Sequence, residues 1–103
     1  MRTRQLIVEK NVFDDIYQIV DFIEQNYKAP QTATKFKNSF ISFIESINQY
    51  PEIYPKNRSK QLMMFGSANL QKAVFRKKWI ILFETTENYV VIRRIIFGSL
   101  IKS

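Results

Sequence analysis

Three apolar runs late in the chain, QKAVFR, WIILFETT and YVVIRRIIF, are separated by Lys77-Lys78 and by Glu87-Asn88. β-branched and aromatic residues dominate each run, and short polar breaks divide them, so the stretch Gln71–Ser99 predicts two consecutive β-hairpins. In the last run Tyr89, Val91, Arg93, Ile95 and Phe97 alternate with Val90, Ile92, Arg94 and Ile96. A regular strand would therefore show aliphatic side chains and one arginine on each face, which suits a position in or near the middle of a sheet. A guanidinium stays ionised and is costly to bury alone, so at least one of Arg93 and Arg94 is expected on an accessible face where it can meet an anion.

Upstream the apolar period changes from two to that of a helix. Asn11 stands at an N-cap position, with Asp14 and Asp15 expected in the first turn, where carboxylates favour the helix dipole. Ile16, Ile19, Val20, Ile23 and Tyr27 form one stripe that leaves Asp14, Asp21 and Glu24 outside it, while Phe13 and Phe22 widen the apolar surface toward a second helix. Lys28 and Ala29 make a break and Pro30 suits the first turn of that second helix. From Gln31 to about Gln49 its stripe is Ala33, Phe36, Phe40, Phe43, Ile44 and Ile47, and Pro51 ends it. So short a connection predicts an antiparallel helix hairpin. RTRQLIV, at the start, reads as a first strand. Pro51 to Leu70 reads as a long loop, with Tyr50, Ile53 and Tyr54 as apolar plugs and Lys56, Arg58 and Lys60 alternating along an extended chain.

The order β-α-α-β-β-β predicts an α+β fold, a helix hairpin packed on one face of a small, mostly antiparallel β-sheet. The other face is expected to lack a helical cover and so to be a surface for a partner.

A chain of 103 residues, 46% of them hydrophobic, has enough material for one core, so residues 1–103 are expected to form a single domain. Neither cysteine nor histidine occurs, which removes disulfides, thiolate and imidazole chemistry and the usual zinc constellations. No metal or other cofactor is called for, and Asp14, Asp15 and Asp21 read as an ordinary solvated face. No apolar run approaches the length of a membrane span, and no apolar region follows the N-terminal basic residues, so a cytoplasmic location is expected. Residues 1–50 balance in charge. Residues 51–103 carry ten basic side chains against three acidic ones, and with them the whole formal charge of +7. An anionic partner on the sheet half is the straightforward inference, either a polyanion or an acidic protein, the alternative being a basic surface that only keeps the chain soluble.

The runs VFDDIYQIVDFIEQNY and ATKFKNSFISFIESINQYPEIYP, followed by LQKAVFRKKWIILFETTENYVVIRRIIFGSL, resemble the RelE/ParE superfamily of toxins from type II toxin–antitoxin systems. The resemblance covers roughly residues 3 to 99. It implies a RelE/ParE-like fold, a single toxin-like domain, and an acidic antitoxin that wraps the toxin in a hetero-oligomer. RelE-type members cut messenger RNA on the ribosome without a metal, whereas ParE-type members poison DNA gyrase. The positions implied for target or antitoxin binding are Lys72, Arg76, Lys77, Lys78, Trp79, Arg93, Arg94 and Phe97, with Lys56, Arg58 and Lys60 as basic candidates in the loop. Many relatives end in a histidine, a glycine, a small residue and an arginine. Here Phe97, Gly98, Ser99 and Leu100 stand instead, so two polar groups that a nuclease of this kind uses are replaced by apolar ones. For proton transfer only a perturbed lysine, Tyr89 or Glu84 is left. The resemblance thus favours a gyrase-directed toxin, with ribosome-dependent mRNA cleavage and a degenerate, non-catalytic interaction module as the alternatives.

Overall fold

The computed structural model describes residues 4–27, 30–67 and 69–98. The Lys28–Ala29 break, the side chain of Tyr27, and Ser99 and Leu100 lie outside the described residues. Strand β1 (Gln5–Val8) leads into helices α1 (Lys10–Tyr27) and α2 (Pro30–Gln49), and strands β2 (Gln71–Phe75), β3 (Trp79–Thr85) and β4 (Tyr89–Phe97) follow. The sheet order is β1-β4-β3-β2. β1 runs parallel to β4 and the two hairpins are antiparallel, so the long arginine-bearing strand does sit inside the sheet.

Helical spacing decides the main core. Val12 and Ile16 of α1 and Phe36, Phe40, Ile44 and Ile47 of α2 meet Ala73, Phe75, Ile81, Phe83, Val90, Ile92 and Ile95 of the sheet. Each such side chain removed from water contributes about 1.5–3 kcal/mol, which is how an 18-residue and a 20-residue helix are held on a four-stranded sheet. Phe13, expected to help join the helices, is instead exposed, as is Phe22. The N-cap expectation also shifts. α1 already begins at Lys10, so Asn11 lies within it and no acidic residue falls in the first turn.

Two features of the sheet correct the sequence reading. The first is the face away from the helices, which is not bare. Two short 3-10 helices, Pro51–Ile53 and Lys60–Phe65, punctuate the long connection, and Leu62, Leu70 and Phe65 pack on Leu82, Ile80 and Ile96 as a small second core.

The second is a β-bulge. Leu82 pairs with Arg94 but Phe83 pairs with Ile92, so Arg93 is one residue too many in β4. A bulge reverses the alternation beyond it. Val90, Ile92 and Ile95 therefore share the helix-side core, and Ile96 belongs to the opposite cluster. Arg93 and Arg94, expected on opposite faces, both leave the helix-side core row, and Arg94 reaches from Phe65 of the far-face cluster round the open sheet edge to Asp15 of α1.

Candidate functional site

The arginine pair of β4 is held by carboxylates. Arg93 donates through Nη1 to Glu9, just past β1, and through Nε to Glu84 Oε1 at 3.2 Å. The Glu9 hydrogen bond, with the charges of Glu84 and Glu9, raises the Arg93 pKa above its ordinary value against the opposing effect of burial. Burial pushes Glu84 up, but Ser67 donates both its backbone N–H and its hydroxyl at 3.0 Å. With Arg93 added, the carboxyl is held below its ordinary range. Arg94 forks onto Asp15 of α1, with Nε and Nη2 each 2.9 Å from a carboxylate oxygen, and its guanidinium lies 5.1 Å from the Phe65 ring centroid.

Asp15 has a second task at the sheet edge. β1 pairs with β4 only as far as Ile92, which leaves the rest of that edge open, and Asp15 Oδ2 accepts the Ile95 N–H at 3.4 Å. This carboxylate was expected to be solvated. Its place three residues after Val12 and four before Ile19, on the apolar stripe, is the signal in the sequence that points to burial.

The cations of the β2–β3 hairpin are in a different state. Lys78 N–H donates to Phe75 C=O at 3.3 Å, and the two residues between them, Arg76 and Lys77, have φ of 51° and 64°. Positive φ at both positions is type I′ geometry, which matches the twist of the strands but normally recruits asparagine and glycine. Arg76 is fixed in place. Its guanidinium carbon lies 5.6 Å from the Phe36 centroid and 5.7 Å from that of Phe75, while Nη2 donates to Ser39 Oγ at 2.7 Å. Arg76, Lys77 and Lys78 are all exposed, and among the described residues the side-chain ion pairs are those of Arg93 and Arg94.

Beside this tip lies a groove of about 750 Å³ between the helix hairpin and the end of the sheet. Ile19, Phe22 and Ile23 of α1, Phe36 of α2, and Trp79, Ile95 and Phe97 of the sheet make its walls, and Arg76, Lys78 and Arg94 stand on it as cations. Trp79 packs against Phe97 with ring centroids 5.1 Å apart and against Phe36 at 5.7 Å. Of the candidates named from the sequence, the structure gathers Arg76, Lys78, Trp79, Arg94 and Phe97 here, with Lys77 at the adjoining tip. Lys72 and Arg93 do not line the groove, and Lys56 bridges Gln71 at the far end of β2, in the connection that also carries Arg58 and Lys60. Sequence reasoning missed the helical wall and Ser39. Phe22 could have been found as an aromatic left over beside the buried stripe, whereas nothing in the pattern marks Ser39. Among the described residues no group of three or more His, Cys, Asp or Glu is placed to hold a metal ion, and no helix is long and apolar enough to cross a membrane.

The fold has a solved counterpart. A chain of the structure described as "Chromosomal ParDE TA system from P. aeruginosa" superposes with a TM-score of 0.75, covering 92% of this chain and 96% of that one at 14% identity. The fold is RelE/ParE-like. No family model and no curated protein matches the sequence.

Proposed function

We propose that this chain is the toxin of a type II toxin–antitoxin system, that it acts in the cytoplasm on DNA gyrase by binding, and that an acidic antitoxin neutralises it. The observation that carries the reading is the pairing of an apolar groove with cations at its rim, Arg76 and Lys78, that form no ion pair among the described residues, next to Lys77 at the tip. The similar structure is described as a ParDE system, which supports the toxin–antitoxin context. An acidic, partly apolar segment that orders on docking suits such a groove: its apolar side chains cover Phe22, Trp79 and Phe97, and its carboxylates meet the rim.

Binding is favoured over RNA cleavage by where the proton-transfer candidates sit. A metal-free ribonuclease needs a base, an acid and a phosphate clamp within hydrogen-bond reach of one phosphodiester. Glu84 is occupied by Ser67 and Arg93. Tyr89 and Phe97 stand at the two ends of β4, a separation of about 27 Å at the usual rise per residue. Neither candidate is beside the free cations.

The test is to induce the chain in cells without its partner and to map transcript ends and gyrase-linked DNA breaks together. Gyrase-linked breaks with intact transcripts are expected. Codon-positioned transcript cleavage that is lost on Arg76→Ala, without DNA breaks, would replace this reading with mRNA cleavage. Absence of any growth defect would leave a non-toxic interaction module.

A further inference from the structure

At the end of β2 away from the hairpin tip, the chain leaving α2 folds back along the outer edge of the sheet. Asn57 N–H donates to Leu70 C=O at 2.6 Å and Lys72 N–H to Pro55 C=O at 3.1 Å, which sets Lys56 opposite Gln71 as an added rung. Two buried amide side chains lock this rung. Asn57, 5% exposed, accepts Ser59 N–H at 3.1 Å through Oδ1 and donates to Ser59 C=O at 2.9 Å through Nδ2. Gln71, 9% exposed, donates to Pro51 C=O at 2.8 Å and Tyr54 C=O at 3.1 Å, and its Oε1 accepts the Thr85 hydroxyl at 2.6 Å. Burying amides is tolerated when their bonds are satisfied, and here the satisfied amides fix the backbone of a surface segment.

What that segment presents is charge. Asn57 turns inward, while Lys56, Arg58 and Lys60 are exposed; Lys72 opposes Leu82 of the far-face cluster whereas Lys56 opposes Gln71, so these two lysines leave the sheet edge on opposite faces. None of these three exposed cations is in an ion pair among the described residues, and the acid nearest in sequence, Glu52, belongs to the preceding 3-10 helix. Lys56 and Arg58 are two residues apart on extended chain, about 6.6 Å, so they can follow a phosphate backbone in steps. Sites for single strands add aromatic platforms on which bases stack. No aromatic residue occurs between Pro55 and Met64, which leaves backbone charge as the only thing this surface can read.

We propose that Lys56, Arg58 and Lys60 form a second binding surface, separate from the groove, that holds duplex DNA by its phosphates without sequence preference. Its use in the cell rests on the gyrase reading, the DNA being a segment that gyrase holds, but the binding itself does not.

The experiment measures anisotropy of a fluorescent duplex of about 20 base pairs titrated with the full chain across a salt series. Three phosphate contacts predict a slope of log affinity against log salt of about −2.7, and K56E/R58E should weaken binding about tenfold or more and bring the slope to about −0.9. K35E/K37E makes the same change in net charge on the exposed face of α2 and should stay within about threefold of the parent. K56Q/R58Q, with circular dichroism to confirm the fold, repeats the test without reversing charge. Equal weakening by both charge-reversal variants, weakening by the α2 variant alone, no duplex binding by the parent at low salt, or tighter binding of single-stranded RNA of equal length would each overturn the proposal. Supercoiling assays on the same proteins separate the two readings. A parent that binds duplex through this loop but never inhibits gyrase removes the gyrase reading and keeps the surface. A parent that inhibits gyrase without binding duplex does the reverse.

Discussion

Replacing Lys77 by glycine should make the protein more stable and less effective. Lys77 has φ of 64°, and a side-chain-bearing residue held in the left-handed region costs about 1–2 kcal/mol relative to glycine. Glycine returns part of this through its greater freedom in the unfolded chain, about 0.5–1 kcal/mol. The net gain is about 0.5–1 kcal/mol, or about 2–6 °C in Tm for a chain of this size. Arg76 keeps its two phenylalanine neighbours and its Ser39 bond, so the groove is left intact. Lys77→Val makes the opposite change, since a β-branched residue fits positive φ least well, and should lose about 1–2 kcal/mol. Denaturant unfolding of the three proteins measures the order Gly, Lys, Val, and induction in cells measures growth arrest. A Lys77→Gly protein that is no more stable than the parent would refute the strain argument. One that is more stable and fully toxic would refute the assignment of the hairpin tip to function.

Asp15→Asn weakens the fork onto Arg94 and should cost about 1–2 kcal/mol by denaturant midpoint; because it frees a cation at the groove, calorimetry should show tighter binding of an acidic peptide. Gly66→Ala should destabilise the fold by about 1–3 kcal/mol, read as a lower denaturant midpoint with the slope unchanged, because the added Cβ would overlap Glu84 Oε1 and come within 2.8 Å of Leu70 Cδ1. Glu84 titrates below its ordinary value of 4.5, so its contribution to stability is complete above that pH and is lost as pH falls through the lowered value. Glu84→Gln should flatten this part of the acid limb of a stability–pH curve, and an unchanged limb would show that the carboxyl is not held down.

Both helices were legible in the sequence because their burial follows one period: Phe36, Phe40, Ile44 and Ile47 repeat at helical spacing and are all buried. The hairpins were legible for the same reason, with β2 and β3 bounded by polar breaks. The missed features have no period. Leu62, Phe65 and Leu70 cover the far face from within an irregular segment, where nothing in the spacing says which side chains turn inward. The bulge was hidden by the arithmetic of alternation. Counting by twos from Val90 reaches Arg94, whereas the core continues from Ile92 to Ile95. One extra residue thus moved an arginine across the sheet and changed its partners. Arg93 and Arg94 looked free in the sequence because their carboxylates, Glu9, Asp15 and Glu84, come from three different elements.

Charge by itself therefore does not mark the binding surface, and the structure divides the basic residues by what neutralises them. Arg93 and Arg94 spend their charge on tying β4 to β1, β3 and α1, which lets a bulged strand with an open edge stay in the sheet. Arg76, Lys77 and Lys78 pair with no carboxylate among the described residues, and Arg76 and Lys77 occupy turn positions whose backbone would be relaxed by other residues. Local rules are usually broken where function requires it. Around this one groove the sequence breaks three: cations in a turn built for asparagine and glycine, an exposed Phe97 at a strand end, and an exposed Phe22 on a helix. A partner that covers the aromatic residues and neutralises the tip would remove the cost of all three at once, which is why the groove and the hairpin are read as one site.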